Sequence, residues 1–280
     1  MKYGYHIVLA CLITVFFPTI TLAWNALGHM IIANIAYQNL KPDVREKVDH
    51  LVTYMHQQYA DMETFVNISY WPDAIRSQKI ETYTHWHYIN TAFSNDETPL
   101  KNLNDTDNAV WAIKHIETVV KNNRANPYES VRFLSFFTHI VGDLHQPLHT
   151  VSYISAAMPD GDHGGNEYYV RYNNKRVKLH QVWDMGINEF DGDNSQEHVN
   201  VITYAIMAQY PDVYFGNQVN QLEADDWVRE GVNNAKQYVY NTPQNQMLSD
   251  EYINKGKELS RQQAALAGYR LAKILNQLIT

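Results

Sequence analysis

Apolar residues return at every third or fourth position along most of this chain, the period of a helix with one face sunk in a core. Leu27, Ile31, Ile32, Ile35 and Ala36 form the first such stripe. A second helix is predicted over residues 42–55, with Pro42-Asp43 as its start signal. Residues 107–123 place Ala109, Ile113, Ile116 and Val120 inward, and residues 128–145 do the same with Val131, Leu134 and Phe137. Further amphipathic helices are expected over residues 199–208, 223–240 and 250–278, the last with Leu259, Ala264, Leu266, Leu271, Ile274 and Leu278 on broad apolar faces. Period-two alternation is rare. Residues 84–90 read as extended, with His85 and His87 on one side and only one of them a ligand. Residues 167–172 and 176–179 flank the turn Asn173-Asn174-Lys175 and read as a β-hairpin. The fold expected is mainly α: a single globular multi-helix domain with a small β-hairpin.

The first 23 residues stand apart. Lys2, an apolar run over residues 7–17 and Thr21-Leu22-Ala23 make a secretory signal, cleaved before Trp24. The domain expected is therefore residues 24–280, secreted or periplasmic. Val8-Leu9-Ala10-Cys11 resembles a lipoprotein signal only loosely, because too little apolar sequence precedes it. No later stretch reaches roughly 18 apolar residues, so no stable membrane association is expected. Cys11, the one cysteine, falls inside the leader. A mature chain without thiols has no disulfides, so any metal site must use His, carboxylates and water. Of 22 basic and 30 acidic residues only Lys2 is lost with the leader, which leaves 21 − 30 = −9. That balance argues against a broad nucleic-acid footprint but not against a small site that grips a phosphate through metal.

Candidate chemistry concentrates in His139-Ile140-Val141-Gly142-Asp143-Leu144-His145-Gln146-Pro147-Leu148-His149. His139 and Asp143 stand four apart on one helical face, and Pro147 ends the helix so that His149 leaves its axis. His180 and Asp184 repeat the four-residue spacing after the loop Asp160-Gly161-Asp162-His163-Gly164-Gly165-Asn166. Each ligand has a bland alternative: His29 as a capping or core histidine, Asp73 as a helix N-cap. Together with His87 and His149 they outnumber what one zinc needs and suggest two or three ions, some sharing a carboxylate.

The sequence resembles the zinc-dependent S1/P1 nuclease family across essentially the whole mature chain. The likeness rests on Trp24 with His29 five residues on, Trp71-Pro72-Asp73, His87-Tyr88-Ile89, His139-x3-Asp143-x5-His149, Gly164-Gly165-Asn166 and His180-x3-Asp184. It implies three Zn2+ at the bottom of a cleft. One would be held by Asp73, His87, His139 and Asp143; a second by His149, His180 and Asp184. The third would take the terminal amine and carbonyl of Trp24 with His29 and Asp143, so that leader removal creates a ligand. Three ions against three carboxylates leave a site of about +3, which draws in a phosphodiester despite the acidic surface.

The implied activity is hydrolysis of single-stranded DNA and RNA to 5′-phosphorylated products, and dephosphorylation of 3′-nucleotides, by in-line attack of a metal-activated water. Asp73, Asp143 and Arg76 are the catalytic candidates. Arg76 matches a basic position near the phosphate, against its reading as a surface ion pair. Tyr88 matches an aromatic position that stacks a base, against a core aromatic. Asn166 matches a position that orients phosphate. Asn90 stands where many relatives carry Asp, which puts base recognition in doubt. His145 is expected to support the site or end its helix, with His85 and His163 on loops nearby. Asn67-Ile68-Ser69 and Asn104-Asp105-Thr106 fit the glycosylation pattern. The chain is expected to act as a monomer. The nearest rival is a zinc phospholipase C, in which the last helical carboxylate is usually Glu rather than Asp184; a non-catalytic zinc-binding or adhesion module is the other alternative.

Overall fold

Helices follow the period-3.6 stripes in order. A computed structural model describes residues 24–121 and 125–279, so the leader expected over residues 1–23 lies outside the described residues. Helix α1 (Ala26–Gln38) is capped by the Asn25 side chain, which accepts from the Gly28 amide, and is buried continuously from Leu27 to Ala36. It is followed by α2 (Pro42–His56), the single turn α3 (Phe65–Ile68), the short helix α4 (Trp71–Ser77), and strand β1 (Thr91–Phe93). Next come α5 (Ala109–Val120), α6 (Pro127–Asp143), β2 (Val151–Tyr153), β3 (Tyr169–Tyr172), β4 (Lys175–Lys178) and α7 (Leu179–Asp184). The chain closes with α8 (Gln196–Gln209), α9 (Ala224–Asn234) and the long α10 (Asp250–Leu278), capped by Ser249.

Three apolar clusters hold these elements. Val44, Val48 and Val52 of α2 meet Ile113 and Ile116 of α5, Phe136, Phe137 and Ile140 of α6, and the end of α10. The face of α1 bearing Leu27, Ile31 and Ile35 packs on the middle of α10 and on α8. The third cluster gathers Val170, Trp183, Val239 and Tyr252 around the hairpin, α7 and the start of α10.

The mainly helical class with one antiparallel hairpin is thus observed, with four differences from the pattern. The hairpin turn is two residues, Asn173 and Asn174, both at positive φ (50° and 61°), so Lys175 belongs to β4. The helix predicted to His145 ends at Asp143, and the chain turns before Pro147 rather than at it. The segment predicted over residues 223–240 is an α-helix to Asn234 followed by a π-helical turn, Ala235–Val239. Residues 84–87 form a 3-10 turn, not a strand, and the true strand β1 begins at Thr91, parallel to β2. Among the described residues no helix is long and apolar enough to cross a membrane.

Candidate metal centre

The end of α6 is the floor of the site. His139 and Asp143 are both fully buried, one turn apart. The single turn α3 leaves carbonyls without helical partners, and two residues of α6 use them. Ser135 Oγ donates to Ile68 O (2.6 Å), and His139 Nδ1 meets Ser69 O at 2.8 Å. With its proton held there, the ring presents Nε2 inward, 3.3 Å from Asp143 Oδ2 and 3.7 Å from Asp73 Oδ1.

The 3-10 turn Thr84–His87 decides which histidine of that stretch enters. Its tight winding puts His87 inside, with Nδ1 3.1 Å from Asp143 Oδ2 and 3.8 Å from Asp73 Oδ1. His85 stays half-exposed, paired with Asp107 at 3.0 Å. A strand would have put both on one side. The next residues are stitched to the turn Pro147–His149: Ile89 N donates to His149 O (2.9 Å), and His149 Nδ1 meets His87 O at 2.6 Å.

His149 Nε2 then lies 3.8 Å from Asp184 Oδ1, and His180 Nε2 lies 3.5 Å from the same oxygen. His180 is aimed by Gly164, whose carbonyl meets its Nδ1 at 2.5 Å. That loop needs glycine: Gly164 has φ +63°, and a Cβ would fall 2.3 Å from Leu148 O. Helix α1 closes the other side. Gly142 admits it, since a Cβ there would meet His29 Nδ1 at 2.9 Å. His29 stacks on His139 (centroids 3.8 Å) with Nε2 3.3 Å from Asp143 Oδ1. Trp24 donates from Nε1 to Gly142 O at 2.9 Å. The two oxygens of Asp143 therefore face different histidines, Oδ1 to His29 and Oδ2 to His87 and His139.

The profile of the S1/P1 Nuclease family matches residues 24–280, all of the chain beyond the expected leader. The chain belongs to the S1/P1 nuclease family. Its relatives include Endonuclease 2 of Arabidopsis thaliana, 27% identical over 283 residues that cover 91% of this chain and 90% of the relative. Nuclease S1 of Aspergillus oryzae is 23% identical over 285 residues, 92% of each chain. Nuclease P1 of Penicillium citrinum matches at 23% over 170 residues, 58% of this chain and 57% of its own.

In this member of the S1/P1 family the buried donors fall into three groups close enough for an ion: His29, Asp73 and His139; His87, His139 and Asp143; His149, His180 and Asp184. Their electrostatics follow from burial. Burial raises Asp73 to about 7. It lifts Asp143 well above the carboxylate range, with Asp73 and Asp184 adding repulsion, and lifts Asp184 likewise. The same cause drops His139 to about 3 and His180 to about 4, and takes His29, His87 and His149 well below the usual imidazole range. Neutral imidazoles are ready-made ligands, and a cation returns the carboxylates to their charged form.

The unpaired atoms favour a metal. Both nitrogens of His29, both oxygens of Asp73, Asp143 Oδ1 and His149 Nε2 are buried without a hydrogen-bond partner. The 3.3 Å approach of His29 to Asp143 lacks hydrogen-bond geometry, so proximity alone leaves both atoms unsatisfied. Each such atom costs about 1–3 kcal/mol unless something binds it. An all-nitrogen-and-oxygen set of this kind suits zinc. Asp73 is no N-cap: it is the third residue of α4, and neither oxygen bonds the backbone.

Around the cluster, Arg76 sits one turn beyond Asp73, partly exposed, and its charge bears on Asp73, Asp143 and Asp184. Tyr88 is half-buried beside His85, its hydroxyl close to Asp105, with its pKa raised to about 12 by burial first. Asn166 holds its loop by donating from Nδ2 to His163 O (3.0 Å), while its Oδ1 is buried and unpaired. His145 is buried but turned away from the cluster, and His163 is exposed against Glu167.

One contributor was not foreseen. Gln146, fully buried, donates from Nε2 to Asp184 Oδ1 (2.7 Å) and accepts the Leu148 amide on Oε1 (2.7 Å). It joins the α6 end to the His149 group. Its only sequence signal was a polar residue locked between His145 and Pro147.

Proposed function

We propose that this chain is a secreted hydrolase using three Zn2+ to cut single-stranded DNA and RNA to 5′-phosphorylated products and to dephosphorylate 3′-mononucleotides. The observation that carries it is Asp143, buried with its two oxygens facing two different sets of histidines. One ion is assigned to Asp73, His87, His139 and Asp143, and a second to His149, His180 and Asp184. A third is assigned to His29 and Asp143 with the amine and carbonyl of Trp24, once cleavage before Trp24 frees them. Bound zinc supplies Lewis-acid charge at the phosphate and a hydroxide nucleophile at neutral pH.

The chain's own residues do the rest. Backbone carbonyls of Ser69, His87 and Gly164 hold the Nδ1 protons of His139, His149 and His180, so the ligating nitrogens are oriented before any ion arrives. Arg76 places a fixed positive charge where the phosphorane gains negative charge. Tyr88 offers a ring face to an unstacked base, which selects single strands over duplex without reading sequence. Asn166 orients the phosphate from the glycine loop.

Zinc content by mass spectrometry, measured with hydrolysis of single-stranded DNA, RNA, 3′-AMP and lecithin micelles before and after chelation, tests the reading. Zinc-dependent cleavage of the nucleic acids and 3′-AMP is expected. Cleavage of lecithin alone, or full activity after zinc is stripped, overturns it.

A further inference from the structure

Among the described residues, Arg270 of α10 is the one lysine or arginine whose side chain is fully buried. Its Nη1 and Nη2 donate to Glu230 Oε2 and Oε1, each at 2.7 Å, and Nη2 also reaches Gln218 O at 2.9 Å. That bidentate pair already compensates the buried charge. A further bond is therefore not needed for neutrality, yet Nη1 also meets His145 Nε2 at 2.9 Å. Trp227 closes the pocket, 5.1 Å from the His145 ring and 6.0 Å from the guanidinium.

A guanidinium has donors only, so His145 Nε2 must accept and the imidazole proton must sit on Nδ1. Nδ1 lies 2.7 Å from Val141 O, which receives that proton. The last carbonyls of a helix lack i+4 partners within it, and here those of Val141, Gly142 and Asp143 are each given another donor. Val141 O takes the His145 ring, Gly142 O takes Trp24 Nε1, and Asp143 O takes the Gln146 amide at 2.9 Å.

We propose that Arg270 is a positioning residue for the metal centre: it holds His145 in the Nδ1–H form that clamps Val141 O, and so sets the turn of α6 from which Asp143 points. The proposal rests on Asp143 being a metal ligand. Loss of an outer partner of this kind costs about 10–100-fold in metal affinity. The loss falls first on the ions that use Asp143, because His180 and His149 are aimed by Gly164 O and His87 O, which lie outside α6.

The test uses the zinc-loaded full-length mature protein, its Arg270→Met variant, and His145→Phe, which keeps an aromatic ring but no ring nitrogen and leaves the Arg270–Glu230 pair intact. Zinc stoichiometry is followed against graded chelator, and 15N shifts of the His145 ring report its tautomer. The wild type should show an Nδ1–H tautomer. Both variants should release the Asp143-linked zinc at about tenfold lower chelator while the His149/His180/Asp184 ion is retained as in wild type. Should Arg270→Met fail to fold, His145→Phe decides. Uniform loss from all sites, unchanged retention, or a wild-type Nε2–H tautomer overturns the proposal. A wild type that takes up no zinc at all overturns the metal reading beneath it.

Discussion

Replacing Gln146 by Met removes two hydrogen bonds and little volume, so its effect is almost wholly polar. The bond from Nε2 to Asp184 Oδ1 is short (2.7 Å), and its acceptor is a buried carboxylate. Bonds to charged groups contribute about 1.5–3 kcal/mol. At about 1.4 kcal/mol per decade, that predicts roughly 10–150-fold weaker zinc at the His149/His180/Asp184 site. Outer partners of metal ligands typically cost about 10–100-fold, an independent route to the same range. The second bond, from the Leu148 amide to Oε1, has no replacement in methionine. A buried amide left unpaired costs about 1–3 kcal/mol, which for a domain of this size lowers Tm by roughly 2–12 °C. The assay is zinc stoichiometry against graded chelator, with the imidazole resonances of His149 and His180 set against those of His87 and His139 to show which ion leaves. The expected order is the reverse of that for Arg270→Met. If Gln146→Met sheds the Asp143-linked zinc first, or sheds none early, the assignment of Gln146 to the second site is wrong.

Three further outcomes are expected. Asp143→Asn keeps the shape but not the charge and should abolish hydrolysis of single-stranded DNA while loosening two ions together; full metal content with full activity would sink the shared-carboxylate assignment. Arg76→Met should lower kcat by about 10²–10³ with zinc content unchanged, as for loss of one positioned donor to the transition state; an unchanged kcat would return Arg76 to a surface role. Asp162 is buried, accepts from Tyr153 N (2.8 Å) and Tyr240 OH (2.6 Å), and has its pKa raised, chiefly by burial. A carboxyl whose folded pKa exceeds its unfolded value of about 3.9 stabilises below that value and loses the contribution as pH rises through the folded pKa. Asp162→Asn should therefore flatten the fall in Tm from about pH 4 upward, and an identical Tm profile in the variant would exclude Asp162 as its source.

The helices were legible because their cores are one-sided: the stripe in residues 250–278 marks α10 to the residue. The eight buried His and Asp side chains of the cluster were legible as well: two pairs stand at four-residue spacing, and His29, Asp73, His87 and His149 fall on motifs of the family that the sequence resembles. What escaped depends on partners far away in sequence. His87 enters through a 3-10 turn, and alternation alone could not separate that from a strand. The parallel pair β1–β2 joins three-residue strands about sixty positions apart, too short and too distant to leave a pattern. Gln146 looks like any polar residue until Asp184 is seen against it, and Arg270 reads as a surface residue of an amphipathic helix until Glu230 and His145 are placed around it.

Every proposed ligand lies at or before Asp184, whereas α10, on which α1 packs, is made only later. At about 5–20 residues per second the 278 − 184 = 94 residues from Asp184 to the end of α10 take roughly 5–20 s to synthesise. During that interval the chain carries all the proposed ligand side chains on a half-built scaffold. On the metal reading proposed above, the shape that chooses among metals arrives only when α10 docks.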